Sequence, residues 1–346
     1  MTKTSSRAVA EPRKGRRMGR GLRRYAATAL VTFVGLGLAA CGGGNIKSND
    51  TAAGDCGELK IAVNPWTGYV ANAHVIGKVA EKELGCKVDY PEVKEEVGWQ
   101  GMADGSIDTI VENWGHDDLI KKYIDEQGTV EDAGLTGNQG LIGWFVPQWM
   151  AEEYPDITNW ENLNKYADMF KTSESGDKGQ LLDGDPSYVT NDEALVKNLD
   201  LNFQVVVGGS EAALLESFKN AEKNKTPLLA YFYTPQWYAE VNGAATPGVK
   251  DPIQIAHVEL PPWTEGCDAD PAKVDCDYPP YTLNKLISTK FAKSGSPAVG
   301  LVKKFQWTNA DQNIVSMYIA QDGMSPEAAA KKWVDANPDK VKAWLG

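Results

Sequence analysis

Apolar residues along this chain keep two rhythms, and the way the rhythms alternate predicts the architecture. Leu59-Lys60-Ile61-Ala62-Val63 and the run from Val88 to Val93 read as strands, and between them Val75, Val79 and Leu84 fall on one face of a helix expected over about 71–84. A short helix through Val97 to Gly105 and a strand at Ile107, Thr109, Ile110 and Val111 continue the series. The order β-α-β-α-β implies a mainly parallel sheet with right-handed crossovers. Leu141 to Pro147 is a further apolar strand, and the proline suits a crossing into a second lobe. That lobe is expected to hold a helix around Trp160 to Phe170, a helix capped by Thr190 or Asn191, an amphipathic helix over 210–223 and a strand from Leu228 to Tyr233. Ile253 to Val258 reads as the strand returning to the first lobe, followed by helices around 298–307 and 328–337. The latter is opened by Ser325-Pro326-Glu327. The expected fold class is therefore α/β, with residues 57–147 and 253–346 in the first lobe and 148–252 in the second.

The first forty residues stand outside this pattern. Arg13, Lys14, Arg16, Arg17, Arg20, Arg23 and Arg24 form a basic region, and Ala26 to Ala40 form an apolar run too short for a comfortable membrane span. The run closes on Leu38-Ala39-Ala40-Cys41 with three glycines behind it, which resembles a bacterial lipobox. That likeness implies cleavage before Cys41, lipid on its thiol, a tether over 41–56 and a place on the outer face of the cytoplasmic membrane. Arg23-Arg24 also fits a twin-arginine export signal. Of the 35 Lys/Arg and 47 Asp/Glu, nine and one lie in residues 1–40, leaving 26 against 46 and a net charge of −20. Nucleic acid is excluded as a partner by that balance. Every arginine lies in the leader, so an anionic ligand would have to be held by backbone N–H groups, hydroxyls, His or Lys.

Four cysteines remain after Cys41, and in an exported chain an even number implies disulfides. Cys56 and Cys86 each precede a strand, so their sulfurs meet at one edge if those strands are parallel neighbours; Cys267 and Cys276 bracket an Asp/Pro loop that they would clip. A zinc site is the alternative for these four, and the absence of a CxxC pair counts against it. No metal or cofactor is expected.

Catalysis finds little support. His74, His116 and His257 stand apart from any serine elbow or HExxH spacing, and Asp117-Asp118, Glu95-Glu96 and Glu152-Glu153 read as solvated faces. A secreted Trp-rich carbohydrate hydrolase is the alternative from another class, and no catalytic residue is assigned. The distinctive feature is aromatic residues at strand ends: Trp66 after the first strand, Trp114 after the third, Tyr233 in the second lobe, with Tyr188 in a loop and Trp237 close by. One such ring is ordinarily core packing. Several at the same kind of position point to a ligand rim, and π-faces suit a methylated ammonium, which has no N–H to donate.

Val97-Gly98-Trp99-Gln100-Gly101-Met102-Ala103-Asp104-Gly105, running on to Asn113-Trp114, resembles the glycine betaine/proline betaine-binding proteins of ABC importers. Asp185-Pro186-Ser187-Tyr188 and Tyr231-Phe232-Tyr233-Thr234-Pro235-Gln236-Trp237 resemble that family's cage segments, with tyrosine where the family has tryptophan. Pro65-Trp66-Thr67 is similar to the first-strand turn of choline-binding relatives, although Gly68 stands where those have an Asp. The resemblance implies a two-lobed periplasmic-binding-protein-like (type II) fold on a two-strand hinge, performing no chemistry. It also implies a cage of Trp66, Trp114, Tyr188 and Tyr233 for glycine betaine or a related quaternary amine such as choline or carnitine, with Trp237 alongside. The ligand carboxylate is expected at the backbone of Val189-Thr190 or Thr67-Gly68. The expected partners are a membrane permease and its cytoplasmic ATPase, served by a monomer.

Overall fold

The computed structural model describes residues 56–188, 190–241 and 243–346; the expected leader, lipid site Cys41 and most of the tether lie outside the described residues. The first strand, β1 (Glu58–Lys60), leads through Pro65-Trp66 into α1 (Thr67–Leu84), and then come β2 (Lys87–Asp89), α2 (Glu95–Asp104) and β3 (Thr109–Asn113). β1 and β2 pair in parallel, and a parallel bridge from Ile61 to Thr109 brings β3 alongside. The expected β-α-β-α-β run is thus present. Because β1 and β2 are parallel neighbours, Cys56 and Cys86 meet at one edge and are joined, with Cα atoms 4.8 Å apart. α1 ends at Gly85, whose φ of 70° only glycine adopts freely and whose N–H reaches back to the carbonyl of Ala80.

After α3 (Asp117–Ile120) and a π-helical turn, β4 (Val130–Pro147) runs for 18 residues and serves two sheets. Further along come α4 (Gln148–Glu153), α5 (Leu163–Tyr166), β5 (Gly179–Asp183), α6 (Asp192–Asn198), β6 (Phe203–Val207) and α7 (Glu211–Asn224). They are followed by β7 (Ala230–Thr234), β8 (Ala239–Val241), β9 (Ile253–Val258) and β10 (Tyr281–Ser288). The first part of β4 pairs with β10, and its last residues pair with β7 and β9. α8 (Thr289–Ala292), α9 (Ala298–Lys304), α10 (Asn309–Ala320), α11 (Pro326–Ala336) and α12 (Pro338–Leu345) close the chain.

Four expectations are corrected. The pairing is mixed rather than mainly parallel: β10 is antiparallel to β3 and β4, and β4 to β7 and β9, while β5–β6, β5–β7 and β8–β9 are parallel. A strand that leaves a sheet and one that comes back beside it run in opposite directions, so their contact is antiparallel. Ile253–Val258 forms a strand, but its partners are β4 and β8, so it stays with the second sheet. The return is made by the stretch 259–280, clipped by Cys267–Cys276, and the strand that rejoins the first sheet is β10. The helix expected over Trp160 to Phe170 is broken into 3-10 turns around α5, and Asn191 precedes α6 without capping it, Thr190 donating instead to Asp183 at 2.9 Å.

Most of the tryptophans pack. Trp99 and Trp144 are fully buried, and Trp333 stacks on Trp344 at 5.7 Å with planes 6° apart. The unexpected core member is Lys285 of β10, which has no solvent exposure. Its ammonium donates to the carbonyls of Leu135 (2.8 Å), Lys303 (3.5 Å) and Phe305, stapling β10 to β4 and to the chain leaving α9. Burial draws its pKa down to about 8, partly opposed by Asp132. Lys285→Met keeps the stem's volume but strips three carbonyls of their donor. An unsatisfied buried group costs about 1–3 kcal/mol, so urea unfolding of this variant is expected to show a loss of about 3 kcal/mol. A loss under about 1 kcal/mol would mean that the staple contributes nothing net.

Candidate functional site

The aromatic residues singled out from the sequence converge. Trp66 is the extended residue that starts α1, with φ −132° and ψ 150°, and Trp114 follows the last residue of β3. Tyr188 is set by a tight turn in which Asp185 accepts from the N–H and hydroxyl of Ser187 at 2.8 and 2.7 Å and the N–H of Tyr188 reaches the Asp185 carbonyl. Tyr231 and Tyr233 sit two apart on β7 and so share a face. Ring centroids are 5.8 Å apart for Trp66–Tyr188, 6.0 Å for Trp114–Tyr233 and 6.2 Å for Tyr188–Tyr233, all near edge-to-face. Tyr281, the first residue of β10, adds an edge to Trp114 at 5.6 Å. Two glycines give the rings their places: a Cβ on Gly140 would come within 2.4 Å of the Trp114 ring, and one on Gly184 within 2.5 Å of that of Tyr188.

Glu112 ties the two tryptophans together. Its Oε1 accepts both indole N–H groups, from Trp66 and Trp114, each at 2.8 Å. Its Oε2 accepts from Asn72 of α1 and from Gln312 of α10 at 3.1 Å. Glu112 is wholly buried, and burial raises its pKa to about 7; the hydrogen bonds from Trp66, Trp114 and Asn72 oppose the rise and the charge of Glu95 adds to it. All four partners are neutral donors, which match an ionised carboxylate and leave no acceptor for a carboxyl proton. A buried charge is normally paired, and none of these partners carries the counter-charge.

The rings border a cavity of about 570 Å³. Its apolar wall is the cage together with Ile142 of β4, and its polar wall is acidic, with Glu95, Asp117, Asp118 and Asp268 facing Lys121 and His116. His116 bonds Glu95 at 3.0 Å; burial alone would lower the imidazole pKa, and the hydrogen bond and charge of Glu95 together with Asp118 and Glu96 outweigh it, so it is raised. The hydroxyls of Tyr188 and Tyr233 are buried at the cavity; Tyr188 approaches Tyr233 and the N–H of Glu211, yet neither hydroxyl completes a hydrogen bond among the described residues.

Trp66, Trp114, Tyr188 and Tyr233 are brought together as expected, whereas Trp237 lies against Tyr238 at 4.9 Å and does not border the cavity. The N–H and hydroxyl of Thr67 are both taken by Glu211 Oε2, each at 2.9 Å, and Gly68 packs against the Gln312 amide. Thr190 turns to Asp183, and Val189 lies outside the described residues. Sequence reasoning missed Glu112, Glu211, Gln312, Tyr231, Tyr281 and Asp192. The last is fully buried, accepts from Trp144 and the Tyr278 hydroxyl at 2.8 and 2.7 Å, and is pushed up to about 7 by burial and then by Asp183. It moors the stretch 259–280 to α6. The one available signal was Glu112 itself, an acid inside an apolar strand two residues before Trp114.

Residues 57–336 match the family model described as the substrate binding domain of the ABC-type glycine betaine transport system. The chain is 25% identical over 291 residues to the trimethylamine N-oxide-binding protein of Pelagibacter ubique, covering 81% of this chain and 88% of that one. It is 26% identical over 288 residues to the glycine betaine/proline betaine-binding periplasmic protein of Salmonella typhimurium, covering 78% and 84%. Its fold superposes with a TM-score of 0.64 on lactococcal OpuAC in the closed conformation with glycine betaine, at 21% identity over 84% of this chain and 99% of that one.

Because Glu112 titrates at about 7, the cage should lose its charge as pH falls. A cation between the indoles favours the ionised form, so affinity for tetramethylammonium is expected to rise with pH through about 7 and level off above it. Isothermal titration at several pH values checks this. In Glu112→Gln binding should be weak and free of that step, and a step that survives in the variant would assign it to His116 instead.

Proposed function

This chain belongs to the family of substrate-binding domains of ABC-type glycine betaine transport systems, and from that membership we propose that it captures glycine betaine or a related methylated amine outside the cytoplasm and hands it to a membrane permease driven by an ATPase. The observation that carries this reading is Glu112: a buried carboxylate with no counter-charge, holding two indoles side by side at a cavity. A methylated ammonium in that cavity would meet the π-faces of Trp66, Trp114, Tyr188 and Tyr233, with the Glu112 carboxylate bonded to the N–H of both indoles. Such proteins carry ligand and transform nothing, and uptake of this kind serves osmoprotection. We assign residues 1–40 to an export leader and Cys41 to lipid attachment. The chain would act as an anchored monomer of two lobes closing over the ligand. Among the described residues no helix is long and apolar enough to cross a membrane.

Trp114→Leu separates a ligand role from a packing role, because it keeps apolar volume and removes the quadrupole. A cation–π contact contributes about 0.5–2 kcal/mol, so titration of the purified chain should show methylated amines binding about tenfold more weakly. Trp114→Phe should retain most of the affinity. If Trp114→Leu lowers the melting temperature while affinity stays unchanged, Trp114 belongs to the core and not to the site.

A further inference from the structure

Resting on the reading above, we infer that the site takes a methylated amine that brings no carboxylate of its own, because Glu211 already occupies the place where a ligand carboxylate would bind. The N-terminus of the 18-residue α1 starts at the cage residue Trp66, whose side chain does not cap it, and a helix end of this kind favours an anion. Glu211, the first residue of α7, reaches across and puts its Oε2 on that end, 2.9 Å from both the N–H and the hydroxyl of Thr67. Its Oε1 is fixed by Gln236 at 2.8 Å, and Gln236 is held in turn by the N–H of Tyr238 at 2.7 Å.

Charge argues the same way. Glu211 is buried and, like Glu112, accepts only from neutral donors, so two carboxylates without counter-ions flank the four rings. Both add to the upward displacement of the Tyr233 pKa, for which burial is the main cause. The polar wall adds Glu95, Asp117, Asp118 and Asp268 against Lys121 and the Glu95-bound His116. A second carboxylate brought in by the ligand would meet repulsion on both sides and no arginine. What the cage offers a ligand's polar end is two phenols: the buried hydroxyls of Tyr188 and Tyr233, neither of which completes a hydrogen bond among the described residues, although Tyr188 approaches Tyr233 and the N–H of Glu211. Two O–H donors suit a single oxygen, as in an amino alcohol or an N-oxide.

Calorimetry of the purified chain against choline, trimethylamine N-oxide and glycine betaine tests the inference. The expected result is that at least one of the first two binds tenfold or more tightly than glycine betaine. Glycine betaine binding more tightly than both overturns the inference and leaves the proposed function standing, whereas no binding by any of the three overturns the proposed function itself. Glu211→Ala empties the α1 end, so the ratio of choline to glycine betaine affinity should fall about tenfold even if closure weakens and both bind less well. Glu211→Gln, which keeps the bulk and the acceptor oxygen, should lower the ratio in the same direction and serves where the alanine variant does not fold. An unchanged ratio in a folded variant refutes the role given to Glu211.

Discussion

A carboxylate buried between two indoles is the constraint from which the rest of the site follows. Glu112 is cut off from water, so its oxygens must be saturated by N–H groups, and the four that saturate them come from α1, α10, the turn before α1 and the end of β3. Those hydrogen bonds fix the indole planes and leave their faces to the cavity. An indole that donates to an anion becomes richer in electron density over its ring, which strengthens its hold on a cation. Orientation and affinity therefore come from the same group.

The two sheets are joined by β4 and the stretch 259–280, and their elements also meet where Thr67 donates to Glu211 and where Gln321, just after α10, accepts from the N–H of Lys250 and donates to the carbonyl of Gly248. Each has a distinct physical character. β4 is continuous, so it transmits bending; the stretch 259–280 is clipped by a disulfide and moored through Tyr278 to Asp192; the Glu211 contact is a set of hydrogen bonds that can open.

The acidic balance of the chain acquires a local meaning here. With 46 acids and 26 bases after residue 40, a negative surface is unsurprising, and it speaks first of solubility. The placement of carboxylates both behind the rings and along the polar wall of the cavity concentrates that general charge at the candidate site.

The sequence by itself determined what is local or periodic. The strand–helix run to β3, the aromatic rim at Trp66, Trp114, Tyr188 and Tyr233, and both disulfides follow from patterns spanning a few residues or from cysteines placed at strand starts and loop ends. Alternation also located a strand at Ile253–Val258 but not its neighbour, because a strand's own pattern records which faces are covered and not which edge it joins. Only the tertiary structure decided the partners of buried polar groups. Glu112 draws on residues 40, 46 and 200 positions away, Glu211 on one 144 away, and Lys285 on carbonyls that no side-chain pattern encodes. A hydrogen bond between distant segments leaves no period in the chain, so which acid becomes an exposed charge and which becomes the anchor of a cage is settled when the backbone closes around it.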